Sequence, residues 1–215
     1  MAHTTERRLI GGDRGHEHTL VDHRSGGPTV EFSAGPAAWV ALAFLPVKQH
    51  RALEAVGAVE SHVASAIART GAPAAAVLRA SNDRHAAALI WLPSGHHSFE
   101  ALRRDWDLDG SLALTLVTAT RGFAAFDPRS HAILALESLT VSPTRAEAIL
   151  AVAEVSRGFI GAAVLAGQDE AHAYLFYRFD LRSDLEDFRT QVAVREALGP
   201  AALTKYHVMK TYGPS

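Results

Sequence analysis

Glu137 stands in the middle of an otherwise apolar run, Ile133–Leu139 (ILALESL). Alternate residues of a strand share a face, so Glu137 falls beside Ile133, Ala135 and Leu139. Because burying an unpaired charge is costly, a carboxylate there lies at a rim, pairs with a neighbouring arginine, or is held for proton transfer. In the last role it is a general base or a hydrogen-bond acceptor. Two histidines, His96 and His97, follow Trp91-Leu92-Pro93-Ser94-Gly95. Imidazole titrates near neutrality and moves protons, and His97 is the better candidate. Aromatic residues end two apolar runs: Trp91 with Leu89 on its face, and Tyr177 with Leu175 and Phe179. Flat aromatic walls suit a planar ligand, and the Tyr177 phenol is a proton donor. His207, in Lys205-Tyr206-His207, is placed to reach a pocket mouth. Arg103 and Arg189 occupy matching helix positions and read as ion pairs that hold the fold.

The elements that must position these groups follow from hydrophobic periodicity. Trp39–Val47 is a strand candidate, and Lys48–Arg69 has helical spacing that ends at Thr70-Gly71. Ala74–Ala80 and Ala86–Leu92 flank the turn Ser81-Asn82-Asp83-Arg84. Ser98–Trp106 is helical, and Leu112–Thr120 alternates as a strand. The same order then recurs. His131–Val141 is a strand; Ser142-Pro143 caps a helix running to about Arg157, with Gly158 as its stop. Ile160–Ala166 and Ala171–Phe179 are strands, Asp184–Leu198 a helix, and Thr204–Tyr212 the last strand. Ala38–Val47 lies over Ala132–Val141, Ala75–Leu78 and Ala162–Leu165 are both AAVL, and Asp83, Ala87, Leu89, Glu100 and Arg103 match Asp169, Ala173, Leu175, Glu186 and Arg189. A duplication explains three blocks in one order. Each half is a βαββαβ, ferredoxin-like unit, an α+β arrangement with helices on one sheet face. The two uncovered faces then pack together, with the helices outside. The expected division is an extended arm over 1–36, with a short strand at Thr29–Phe32, a first unit over 37–127 and a second over 128–215. Ala43 matches Glu137, and Arg182-Ser183 matches the histidine pair, so the two halves are expected to carry unequal sites.

Composition narrows the function classes. The chain has 215 residues, 48% of them hydrophobic, and 21 Lys+Arg against 23 Asp+Glu. That balance excludes a disordered chain and gives no basic surface for nucleic acid. No apolar run approaches the ~18 residues of a membrane span, and the N-terminus has no apolar signal core, so a cytoplasmic location is expected. Without cysteine there is no disulfide, thiolate nucleophile or Cys-ligated metal. The arm's His16-Glu17-His18, with Asp22 and His23, is too loosely spaced for a metal site. No dinucleotide fingerprint, P-loop or nucleophile elbow is present, so any site is built from scattered side chains.

From Ala38 to Tyr212 the chain resembles a tandem, two-unit member of the dimeric α/β-barrel superfamily, in the branch of the antibiotic biosynthesis monooxygenases. The resemblance rests on the repeated βαββαβ order and on Trp91, with Tyr177 set against it, before a polar turn and a helix. It implies a pseudo-dimeric barrel with a pocket between sheet and helices, in which Trp91, Leu89, Leu175, Phe179 and His207 bind substrate. Where relatives carry an amide, this chain has Glu137. The resemblance further implies an oxygenase for an aromatic polyketide, a polycyclic phenol or hydroquinone that reacts with O2 once deprotonated. Glu137 or His97 is then the base, and Tyr177 or the other histidine the proton donor. Haem-binding relatives carry a helix histidine where this chain has Ala101 and Arg103, so neither haem nor a bound metal is expected. Tandem members resemble oxygenases that open angucycline rings by C–C cleavage. There a reduced flavin (FADH2 or FMNH2) is a diffusible co-substrate from a flavin reductase. A polyketide cyclase and a non-catalytic ligand-binding or stress module share the fold. No membrane or nucleic-acid partner is implied, and a homo-oligomer is compatible.

Overall fold

Strand β2 (Trp39–Pro46, WVALAFLP) is apolar at nearly every position because both its faces are covered. Val40 and Leu42 point into one core, with Phe44 packed against it, while Ala41, Ala43 and Leu45 face helices in another. The computed structural model describes residues 26–32, 39–47, 51–106, 108, 111–130, 132–139, 142–168, 172–198 and 203–213. The expected metal-free histidine cluster of the arm lies outside them.

After the short β1 (Val30–Glu31), the first unit comprises β2, α1 (Ala52–Thr70), β3 (Ala74–Ala80), β4 (His85–Leu92), α2 (Gly95–Asp105) and β5 (Ser111–Gly122). Helix α1 buries Val56, Val59, Val63 and Ala66 on one stripe and stops at Gly71, whose φ is +66°. A two-residue strand, β6 (Ala125–Phe126), precedes the second unit: β7 (Ile133–Leu139), α3 (Pro143–Glu154), β8 (Phe159–Gly167), β9 (Ala173–Phe179), α4 (Arg182–Thr190), α5 (Val192–Leu198) and β10 (Thr204–Tyr212). Ser142 caps α3 by accepting from the Arg145 amide. The expected helix over Asp184–Leu198 is in fact two, because Gln191 leaves helical geometry with ψ of 135°.

Eight antiparallel strands close a barrel in the order β10-β3-β4-β2-β5-β8-β9-β7. Each unit supplies four consecutive strands in ferredoxin-like order, and the seams are β5–β8 and β10–β3. Both seams carry a register irregularity at the matching place, Val117/Ala119 in β5 and Val208/Lys210 in β10. The fold is therefore a covalent pseudo-dimer with an approximate two-fold relation between its halves. The barrel interior, which includes Leu42, Leu78, Leu89, Trp91, Leu136, Leu165 and Phe176, is the shared core. Two outer cores lie between the barrel wall and α1–α2, and between the wall and α3–α5. Strands β1 and β6 form a two-stranded ribbon that adds Val30, Phe32 and Phe126 to the interior. Among the described residues no helix is long and apolar enough to cross a membrane.

Candidate functional site

Strand β7 alternates as its sequence demands: Leu134 and Leu136 enter the barrel, while Ala135, Glu137 and Leu139 face the helices. Glu137 is completely buried. It sits opposite Leu175 of β9, with Ala135 opposite Tyr177 in the same pair of strands. From the last turn of α4, Arg189 brings its guanidinium to 2.9 Å from the carboxylate. The Tyr177 hydroxyl donates to the other carboxylate oxygen at 3.5 Å. The Tyr177 ring packs edge-on against Phe188, 5.4 Å between centroids, and Phe188 stacks on Phe179. Glu137, Tyr177, Leu175 and Phe179 thus meet in one layer, between the barrel wall and the helices of the second unit.

Desolvation dominates the electrostatics here. Burial raises the Glu137 carboxyl above its ordinary range, while Arg189, by charge and hydrogen bond, and the Tyr177 hydrogen bond pull it down. Burial and the nearby carboxylate push the Tyr177 phenol well above its ordinary value, so it remains a neutral donor. The result is a carboxyl of enhanced basicity, paired with one cation and contacted by one phenol. Such a group can take a proton from a weak acid, and the adjacent phenol can return one. Arg189 is the member of the trio that reaches solvent, its side chain 30% exposed.

The remaining candidates do not join this layer. Trp91 and Leu89 face the barrel interior, on the other side of the wall. Matching Trp91 to Tyr177 is corrected by the strand register. Trp91 pairs with Val40 as Arg178 pairs with Leu134, so Arg178 is the true counterpart of Trp91, and Ile90 that of Tyr177. The match holds through the helices, where Phe99 and Leu102 are buried as Leu185 and Phe188 are, but slips by one residue in the strands. One such slip exchanges the two faces of a strand. His97 is exposed at the start of α2, in the first unit. His207 is exposed on β10, its Nε2 3.2 Å from the Ser81 hydroxyl. The pocket expected from Trp91, Leu89, Leu175, Phe179 and His207 together is therefore divided among three places.

Among the described residues the first unit has no equivalent polar layer. Ala43 replaces Glu137, Ile90 replaces Tyr177, and Arg103 pairs with Glu100 on the surface at 2.8 Å. Sequence reasoning offered an arginine partner as one reading of Glu137 and read Arg189 as an ion pair that holds the fold, without joining the two; the structure joins them. The available signal was the coincidence, in the second repeat alone, of an arginine at that helix position with a carboxylate in the strand.

No protein-family model matches the chain, and no curated protein matches it by sequence. Solved structures do match in shape. An anthrone oxidase-like protein superimposes with a TM-score of 0.65 at 15% identity, over 86% of this chain and 96% of that one. A candidate monooxygenase from Fusobacterium nucleatum subsp. nucleatum gives 0.56 at 8% identity, over 84% and 97%. Another from Lactobacillus acidophilus gives 0.50 at 8%, over 82% and 96%. These likenesses establish a shared fold.

Proposed function

We propose that the chain is an oxygenase-type enzyme acting on a polycyclic phenol or hydroquinone of aromatic-polyketide type. The observation that carries this reading is the buried Glu137–Tyr177–Arg189 trio in the layer between sheet and helices. The fold shared with an anthrone oxidase-like protein and with candidate monooxygenases supports the same class.

The chemistry is balanced with O2 as the sole oxidant. Glu137 removes a proton from an anthrone-type substrate and leaves an electron-rich phenolate. The anion transfers electrons to O2, and a C–O bond forms to give a peroxide. The proton held on Glu137, relayed with help from the Tyr177 hydroxyl, returns to the distal peroxide oxygen. Loss of water then leaves a quinone, so substrate plus O2 becomes quinone plus water. Arg189 keeps Glu137 ionised at the start and balances the charge when it is protonated. Aromatic packing by Phe179 and Phe188 keeps water from the base. His97 and His207 have no part in this sequence. Ring-opening C–C cleavage of an angucycline quinone is the finer form of the reading. It needs the hydroquinone first, made by a reduced flavin that a separate reductase supplies.

The test is aerobic against anaerobic incubation with anthrone and, in parallel, with a polycyclic hydroquinone. Oxygen uptake and product mass are followed for the wild type and for Glu137→Gln. Oxygen-dependent product from the wild type, falling at least about a hundredfold in Glu137→Gln, is the expected result, that being the usual scale of a lost general base. A product of unchanged oxidation state formed without air assigns a cyclase instead. Saturable binding with no turnover assigns a non-catalytic binding module.

A further inference from the structure

The barrel interior holds a second set of groups that the Glu137 layer does not use. Phe32 lies against Trp91, Phe126 and Phe176, with centroids 5.4, 5.1 and 4.8 Å away. All four side chains are more than nine-tenths buried. Within this cluster the indole N–H of Trp91 is buried and has no acceptor among the described residues. Buried donors without partners are rare in folded proteins and cost stability. Here the unmet donor sits beside a side chain, Phe32, that has no acceptor to offer.

The strap that delivers Phe32 is held at both ends, with the Gly26 amide donating to the Met209 carbonyl and, between the ends, Arg129 donating to the Thr29 hydroxyl. Val30 and Glu31 pair with Phe126 and Ala125, and the Phe32 amide donates to the Ala124 carbonyl at 2.9 Å. At its other end the Thr211 amide donates to the Gly26 carbonyl, and the Thr211 hydroxyl to that of Pro28. Gly27 has φ of +124°, and a Cβ there would collide with Thr211. The layer beneath is anchored separately. Arg178, buried at the strand position matching Trp91, donates to the Phe123 carbonyl at 3.4 Å and to the Ser130 hydroxyl at 3.0 Å. It thus ties down both ends of the segment that carries β6. Trp91 and Phe176 stand in barrel strands, and the segment carrying Phe126 is held at its ends by Arg178, so all three have anchors outside residues 26–32.

We propose that the barrel end beneath residues 26–32 is a ligand site for a planar aromatic molecule carrying an oxygen acceptor. The ligand ring takes the place of Phe32 among Trp91, Phe126 and Phe176, and its oxygen accepts from Trp91 Nε1. This site lies on the opposite face of the barrel wall from Glu137 and stands independently of the activity proposed there.

Calorimetric titration of the full chain with 1-indanone, an aryl ketone, and indane, its analogue without the carbonyl, tests the site. Indanone is expected to bind saturably, one per chain, and indane about tenfold more weakly. In Trp91→Phe that gap closes, because the donor is gone while the ring remains. The chain has no cysteine, so Glu31→Cys/Ala125→Cys creates a single thiol pair across β1 and β6. Oxidised, this pair holds the strap down and weakens indanone binding at least tenfold; reduction restores it. Gly27→Ala loosens the strap and tightens binding. The proposal is overturned if indanone shows no saturable binding, if the gap persists in Trp91→Phe, or if the oxidised pair binds as the reduced one does. Should Trp91→Phe fail to fold, the thiol pair still decides. Neither probe is a phenol, so failure here leaves the reading of Glu137 standing.

Discussion

Glu137 combines complete burial with an ion pair and a phenol contact. Its carboxyl is raised by desolvation and lowered by Arg189 and Tyr177, with desolvation the largest effect. Two outcomes follow at this scale. A carboxyl whose folded-state value lies above the ordinary 4.5 holds its proton more tightly folded than unfolded. Stability therefore declines as pH rises from about that ordinary value through the raised one. Urea unfolding across pH is expected to show this downward segment in the wild type and to lose it in Glu137→Gln. The second outcome concerns Arg189, whose charge and hydrogen bond favour the ionised carboxylate. In Arg189→Gln the Glu137 carboxyl rises further, so the acid limb of kcat/KM against pH moves to higher pH. An unmoved limb would show that Glu137 is not the titrating base.

At the scale of elements, the β9–α4 connection decides which side chains meet. The helices of the two repeats match in one register and the strands in another, one residue away. Tyr177 consequently faces helices while Trp91 faces the barrel. The turn before β8 is equally exacting. Gly158 has φ of +67°, and a Cβ there would strike the carboxylate of Asp184, which is buried at the start of α4. Gly158→Ala is expected to destabilise the chain by roughly 1–2 kcal/mol from the left-handed backbone alone, measured by thermal or denaturant unfolding. Displacement of α4 by the Asp184 contact adds to that and moves Arg189 from Glu137, so turnover falls with stability. Loss of stability with turnover intact would separate α4 from the site.

Across the whole molecule, two units of like topology and unequal chemistry close one barrel. Neither unit is complete alone, because its inner sheet face and the edges β3 and β5, or β8 and β10, are apolar or unpaired without the other. The first unit expressed by itself is expected to dimerise or aggregate, with no folded monomer by light scattering. Asymmetry gives a further expectation. With Ala43 and Ile90 in place of Glu137 and Tyr177, the described residues of the first unit hold no matching carboxylate–phenol pair, so under the proposed function a single-turnover burst is expected to yield one product equivalent per chain. Two equivalents would place catalysis in both halves.

Much of this architecture was legible in the residues. Period-2 and period-3.6 patterns, the Ser142-Pro143 cap and the AAVL repeat set the βαββαβ order, because these signals are local and each element carries its own. Parity placed Glu137 on the same face as Ala135 and Leu139, as the structure does. What local pattern could not supply was the alignment of one half upon the other. Identical residues at one constant spacing, from the loop through the strand to the helix, favoured a match that the backbone pairing of β9 with β7 and β8 does not keep, and a shift of one residue reverses a strand's faces. Nor could spacing join Glu137 to Arg189, 52 positions along the chain, since that contact depends on where α4 packs. The chemistry-bearing residue types were written in the sequence. Which of them share a layer was decided by closure of the barrel, because only the paired backbone determines the side of the wall on which each residue stands.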